Sequence, residues 1–350
     1  MENPVLVEVT RGDLVESVHR GAFALVDGAG AVVASAGDIA RPVFPRSAIK
    51  VFQAIPLIET GAADAFGFGD RELSLACASH SGEEGHVTLA AAMLAKGGLD
   101  GRALECGCHW PFDLPVALDL ARRGGEPTVL HNNCSGKHAG FLCTAVHQGE
   151  DPRGYVRADH PVQQRAKAAI EDLTGTELGD DVCGTDGCSI PTYAAPLKSF
   201  AHGFAKLVSG EGIAPERAAA GRRLIEACMA APWEMSGTGR ACEKLMQAAP
   251  GQVFAKTGAE GVFCGALPDL GLGFALKIDD GGTRASEALV AAVIGKALRR
   301  DDAALAGRFD TLASKTLRNW EKITVGAVRV SIPSSLIITS VESSQTQWGQ

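Results

Sequence analysis

Val262-Phe263-Cys264-Gly265-Ala266-Leu267-Pro268-Asp269-Leu270-Gly271-Leu272-Gly273-Phe274-Ala275-Leu276-Lys277-Ile278 places two apolar runs on either side of a Pro-Asp-Leu-Gly turn. Short apolar runs that flank such a turn predict a β-hairpin, Val262 to Leu267 against Leu272 to Ile278. The chain begins in the same way. Val5 to Val9, Ala22 to Val26 and Ala31 to Ser35 are predicted strands, the last two separated by Asp27-Gly28-Ala29-Gly30, and Ile323 to Val330 is a further strand near the far end. Between the ends, helical spacing of apolar residues runs through Val87 to Ala95, Pro161 to Leu173, Pro215 to Ala231 and Gly239 to Ala249. Ser286 to Leu298 follows as a helix after the hairpin. Strands at both ends around a helical middle predict an α+β fold. Its mixed sheet is built from about residues 1–45 and 250–330, and its helical lobe from about 46–249. The expected unit is one two-lobed domain over 1–330 with its site in the cleft between the lobes. The segment 331–350, SIPSSLIITSVESSQTQWGQ, is rich in Ser, Thr and Gln and is expected to be a loose tail.

The bulk composition narrows the function classes. At 350 residues, 46% hydrophobic and 21% charged, the chain has the make-up of a globular protein with ample material for a core. A net charge of -8, without Lys/Arg clusters interleaved with aromatics, argues against a nucleic-acid partner. The opening MENPVLVEVTRGDLVE carries acidic residues where an export signal needs a basic start and an apolar run. No apolar stretch approaches a bilayer span, so a cytoplasmic protein without membrane association is expected. The ten cysteines are scattered from Cys77 to Cys264, and in a reducing compartment they predict buried thiols rather than a disulfide framework.

Two constellations carry chemistry. In the first, Arg46-Ser47-Ala48-Ile49-Lys50 follows Pro42 and Pro45 and precedes an apolar stretch, Val51 to Ile58, that continues as a helix. Three-residue spacing then puts Lys50 on the face of Ser47, one turn along. Such a lysine activates a serine only when its amine is kept neutral by burial or a neighbouring cation. The same spacing also describes a plain helix N-cap followed by an exposed lysine. Further on, Lys256-Thr257-Gly258 stands just before the Val262 strand, and Ser-x-x-Lys followed by Lys-Thr-Gly near a sheet edge is the order found in serine β-lactamases and penicillin-binding proteins. Ala78-Ser79-His80-Ser81-Gly82 lies between them and offers Ser79 as a second hydroxyl, while the Ser-Asp-Asn element of the β-lactamases is absent. In the second constellation, His131-Asn132-Asn133-Cys134-Ser135-Gly136-Lys137-His138 and Cys183-Gly184-Thr185-Asp186-Gly187-Cys188 bring together thiols, amines and a carboxylate. Cys134 and Cys188 with a nitrogen donor would suit zinc, although the spacing is that of no zinc finger.

With PRSAIK (45–50), CASHSGEEGH (77–86), HNNCSGKHAGF (131–141), GTDGCSIP (184–191) and KTGAEGVF (256–263) in this order, and LVEVTRGDLVES at the start, the chain resembles the Rhizobium etli type of L-asparaginase, the asparaginase II family. The resemblance implies a serine β-lactamase-like fold, a homodimer and hydrolysis of L-asparagine to L-aspartate and ammonia. It pairs Ser47 with Lys50 and Ser79 with Lys256, and makes Cys134, Lys137 and Cys188 the ligands of a zinc ion that shapes the pocket rather than supplying the nucleophile. Arg46, His138 and Asp186 become candidates to hold the charged groups of an amino acid. Two other readings use the same residues: a β-lactamase-like or D-amino-acid amidase, and a non-catalytic metal or ligand sensor in which Ser47 is only a cap.

Overall fold

The computed structural model describes residues 2–332 and joins the strands of the two chain ends in one sheet. These strands are β1 (Val5–Arg11), β2 (Leu14–Asp27), β3 (Val32–Ala36), β4 (Phe254–Gly258), β5 (Val262–Leu267), β6 (Leu272–Ile278), β7 (Lys315–Arg318) and β8 (Thr324–Val330). They run β7-β8-β1-β2-β6-β5-β4 across the sheet, with β3 on β2. The hairpin bounds agree with the sequence pattern, and its register pairs Leu272 with Leu267 and Lys277 with Val262. Each ladder of this sheet is antiparallel, where mixed directions were expected. Part of the reason is connectivity: β1 turns into β2 through Gly12 and Asp13, β5 turns into β6 in one tight turn, and strands joined this way can pair only antiparallel.

β5 is buried along its whole length and β6 nearly so, as expected of strands covered on both faces. The helices between the two groups of strands begin with α1 (Lys50–Glu59), α2 (Asp70–Ala76), α3 (Glu84–Lys96), α4 (Ser135–His147), α5 (Pro161–Thr174), α6 (Leu197–Ser209), α7 (Pro215–Ala230) and α8 (Ala241–Ala248). After the hairpin come α9 (Thr283–Leu298) and α10 (Ala303–Ala313). α6 lies on β2, β5 and β6, while α9, backed by α10, lies against β1, β6 and β8. Contact between α6 and β6 depends on Gly273, where a Cβ would stand 2.0 Å from the Ala201 carbonyl oxygen. The buried apolar residues form one continuous core from Leu6 to Val328.

The five helices read from apolar spacing are present as α3, α5, α7, α8 and α9, with ends moved by a few residues. α4, α6 and α10 do not show in that spacing. α4 begins in a polar motif, and α6 carries a glycine, Gly203, at the point where the Phe52 ring packs 2.9 Å from where a Cβ would be. Of the expected tail, residues 333–350 lie outside the described residues; Ser331 still donates its N–H to the Leu6 carbonyl at 2.8 Å.

Candidate active site

Ser47 lies in a one-turn helix, Arg46–Ile49, that enters α1. Arg46 takes φ +51°, a strained setting for a residue with a side chain, and turns the chain between Pro45 and Ser47. The turn sits against the Lys-Thr-Gly strand β4 at the edge of the sheet. Gly258 makes this approach possible, since a Cβ there would lie 2.5 Å from the Pro45 carbonyl oxygen and 3.3 Å from Ala48 Cβ. Ser47 is half-buried, and its hydroxyl makes no side-chain hydrogen bond among the described residues. Lys50 is buried, and its amine is directed at the Ala78 carbonyl, Ser79 Oγ (3.0 Å) and Cys134 Sγ (3.0 Å). Ser47 and Lys50 therefore share a turn, but the hydroxyl hydrogen-bonded to Lys50 belongs to Ser79.

Ser79 follows the end of α2. Its N–H donates to the Met235 carbonyl at 3.0 Å, and the next residue, His80, donates to the Asn133 carbonyl at 3.1 Å. Lys256 Nζ lies 2.9 Å from Ser79 Oγ and 2.8 Å from the Thr257 carbonyl. The Ser79 hydroxyl is thus wedged between two buried amines. Burial is the largest influence on Lys256 and brings its pKa down to about 7; the charges of Lys50 and Arg240 push in the same direction.

A segment that carries none of the sequence motifs, Ala231-Pro232-Trp233-Glu234-Met235-Ser236-Gly237-Thr238-Gly239-Arg240, holds this loop in place. Besides the Met235 carbonyl, Ser236 accepts from Ser81 Oγ at 3.2 Å. Glu83 accepts from Thr238 N–H at 2.9 Å and from its hydroxyl at 2.8 Å. The ring of His86 stacks on Trp233 with centroids 4.0 Å apart. The signal that could have found the segment is its Ser-Gly-Thr-Gly run. Gly237 stands at φ +117°, and a Cβ there would lie 2.3 Å from Ser81 Oγ.

The second constellation adjoins the first through Cys134. Asn132 shapes the turn into α4, its Oδ1 accepting from Cys134 N–H at 2.9 Å and its Nδ2 donating to the Cys106 and Gly107 carbonyls. Lys137, in the first turn of α4, places Nζ 3.0 Å from Cys188 Sγ, and the Cys188 thiol lies 3.3 Å from Asp186 Oδ2. Hydrogen bonding from the Cys188 thiol, with the charges of Lys50 and Lys137, holds Cys134 well below the usual thiol range against the effect of burial; the proton kept on Cys188 raises that thiol in turn. Burial opposes the charge on Lys137, but the two sulfurs outweigh it and raise its pKa. All ten cysteines are free. Among the described residues no group of three or more His, Cys, Asp or Glu is arranged to hold a metal. The donor set reaches three only when the lysine amine is counted with the two thiols. Two sulfurs and an amine nitrogen are donor types that zinc takes, once the protons kept on Cys188 and Lys137 are displaced.

Of the residues expected to hold substrate charges, Arg46 and Asp186 hold each other, Nε to Oδ1, at 2.5 Å. Burial works against the Asp186 carboxylate, but Lys137 and Arg46 overcome it and lower its pKa. His138 is fully buried, with Nδ1 2.6 Å from Tyr155 Oη. That oxygen also accepts the Glu105 N–H at 3.0 Å, while His138 Nε2 is buried and has no hydrogen-bond partner among the described residues. Burial holds the ring neutral. The structure thus brings Ser79, Lys50, Lys256, Cys134, Lys137, Cys188, Asp186 and Arg46 into one connected network, with Ser47 on its Arg46–Lys50 arm and His138 packed behind it.

Among the described residues no helix is long and apolar enough to cross a membrane. The L-asparaginase II family profile matches residues 7–330. No curated protein matches the chain. Among solved structures, a β-lactamase from Mycobacterium bovis is 14% identical and covers 80% of this chain and 94% of its own, with a TM-score of 0.42. A structure of Mglu is 16% identical and covers 81% of this chain and 66% of its own, with a TM-score of 0.36.

Proposed function

Because the chain belongs to the L-asparaginase II family, we propose that it is an L-asparaginase, a cytoplasmic homodimer that hydrolyses L-asparagine to L-aspartate and ammonia with a Ser-Lys mechanism. The observation that carries this reading is the Ser79 hydroxyl, 3.0 Å from Lys50 Nζ and 2.9 Å from Lys256 Nζ, both amines buried. A buried amine whose pKa is brought down to about 7 exists partly as the free base at neutral pH, and such a base can move a serine proton.

In this mechanism Ser47 is the nucleophile, because its hydroxyl is not engaged by the protein and stands beside the β4 edge. Its oxygen bonds to the side-chain amide carbon of asparagine as its proton passes to Lys50. Ser79, held between Lys50 and Lys256, delivers a proton to the leaving nitrogen, the carbon–nitrogen bond breaks and ammonia departs. The proton that Lys50 took from Ser47 restores the Ser79 hydroxyl, and free-base Lys256 is left to accept, through Ser79, the proton of the attacking water. Water then attacks the aspartyl ester, its proton returning through the same chain, and frees Ser47. Asp186 is the candidate partner for the α-ammonium of the substrate.

Cys134, Lys137 and Cys188 would hold zinc. Bound there, the ion supplies positive charge that fixes the two sulfurs and the loops carrying them. The chain's own part is to bring those donors within hydrogen-bond reach, with Lys50 linking Cys134 to Ser79.

Incubation with L-asparagine, L-glutamine and a chromogenic β-lactam tests the reading. Release of aspartate and ammonia from asparagine is expected. Turnover of the β-lactam alone would replace it with the β-lactamase-like reading, and no turnover of any amide would favour a sensor. Mapping a trapped acyl group by peptide mass decides the serine: an acyl group on Ser79 would exchange the roles of the two serines.

A further inference from the structure

Arg240 is the basic residue near this site whose charge the fold leaves unanswered. It follows the Ser236-Gly237-Thr238-Gly239 turn and stands immediately before α8. Its backbone is fixed: the N–H donates to the Gly237 carbonyl at 3.2 Å and the carbonyl accepts from Lys244 N–H at 3.1 Å. The side chain is half-buried, yet it makes no hydrogen bond and no ion pair among the described residues. The nearby carboxylates are engaged elsewhere. Glu234 pairs with Arg71 at 2.6 Å, Glu243 accepts from Gly239 N–H at 2.6 Å, and Glu83 is held by Thr238.

Two contacts locate Arg240. The turn before it grips the Ser79 loop through Ser81 and Glu83. The helix after it packs on β4, where Cys242 Sγ accepts the N–H of Thr257, the neighbour of Lys256, at 3.2 Å. The side chain therefore starts from a point between the Ser79 loop and the Lys256 strand, and its charge adds to burial in lowering the pKa of both Lys256 and His86. An unpaired cation whose charge reaches a buried lysine is an unfavourable arrangement unless an anion completes it. Arg46, the other arginine at the site, is already occupied by Asp186.

We infer that Arg240 receives the α-carboxylate of the amide substrate in a bidentate contact, and so restricts the site to amides that carry a carboxylate. The inference rests on the amidohydrolase reading for the identity of the ligand. A planar guanidinium fits a carboxylate with two parallel hydrogen bonds, and an α-ammonium would be repelled from the same place.

The test compares full-length wild type, Arg240→Ala and Arg240→Lys, each checked for an unchanged melting curve. It uses calorimetric binding of L-aspartate and of L-isoasparagine, whose α-carboxylate is replaced by an amide, together with steady-state kinetics on L-asparagine. Wild type should prefer aspartate. Arg240→Ala should weaken aspartate binding and raise KM by about 10- to 100-fold with a smaller effect on kcat, and lose the preference over isoasparagine, while Arg240→Lys recovers part of it. Aspartate binding by Arg240→Ala as tight as by wild type, or no preference in wild type, would overturn the inference. If wild type hydrolyses no asparagine but its carboxylate preference still depends on Arg240, the substrate reading falls and the carboxylate site stands.

Discussion

Lys256 and Ser79 are 177 residues apart in sequence, and their Nζ and Oγ atoms are 2.9 Å apart. The edge strand β4 brings one and the loop after α2 the other, so the proton-transfer pair exists only when the sheet and the helical layer are docked. Since burial brings Lys256 down to about 7, its free-base fraction rises through neutral pH. Turnover of L-asparagine should therefore fall as pH drops below about 7. A kcat profile that stays flat from about pH 5 to 8 would remove Lys256 as a proton carrier.

The same group makes a prediction about stability. In the unfolded chain Lys256 returns to its ordinary value of 10.5, so between about 7 and 10.5 the unfolded state binds the extra proton and the folded state gains stability as pH rises. Below about 7 both states are protonated and the penalty for burying the charge is present in full. Lys256→Met should remove that penalty: the variant is expected to be inactive but more stable than wild type at pH 7, by about 1 kcal/mol or more, with the advantage shrinking toward alkaline pH. Chemical denaturation at several pH values measures this. A variant that is less stable at every pH would contradict it.

Ser47 and Ser79 should respond differently to the same substitution. Ser47→Ala removes a hydroxyl that makes no side-chain hydrogen bond, so stability should change by less than about 0.5 kcal/mol while activity falls by about a thousandfold or more. Ser79→Ala leaves two buried amines without their shared acceptor, and should cost about 1 to 3 kcal/mol as well as activity. Equal melting temperatures for the two variants would speak against the bridged position of Ser79.

Gly258→Ala probes the seating of the Ser47 turn on β4. The added methyl would lie 2.5 Å from the Pro45 carbonyl oxygen, which belongs to backbone and has little room to move. A loss of about 1 to 3 kcal/mol is expected, with a fall in kcat larger than at Gly307, where a Cβ meets nothing within 4 Å. Comparable activity in Gly258→Ala and Gly307→Ala would show that the close approach is not needed.

The hairpin could be read from the sequence because both of its strands are apolar runs on either side of a turn that fixes their register, and nothing outside that stretch is needed to place them. The termini-to-termini sheet followed from the same pattern. The direction of pairing did not, since it depends on which strands are joined by tight turns. At the site, residue identity was legible and partnership was not. Ser47 and Lys50 looked like a pair because spacing is all that a sequence offers, whereas the lysine amine extends across the fold to Ser79 and Cys134. Arg46 and Asp186 looked like two substrate ligands but lie across from each other as an ion pair. The 231–240 segment is marked in the sequence by little more than its Ser-Gly-Thr-Gly run, because it acts largely through backbone carbonyls, at Met235 and Ser236, and carbonyls carry no residue-type signature.

Lys137 decides how a metal would enter. The two neighbouring sulfurs raise its pKa, so in the metal-free chain the amine carries a proton that zinc must displace. Zinc binding should therefore release protons and weaken as pH falls. Calorimetry in two buffers of different ionisation enthalpy reads the release directly, and Lys137→Ala should both lower zinc affinity and reduce the number of protons released. An unchanged proton count in that variant would exclude the amine as a ligand. With zinc confined to shaping the pocket, chelation should raise KM for L-asparagine more than it lowers kcat. Complete loss of turnover on chelation, restored by zinc, would instead place the ion in the reaction itself.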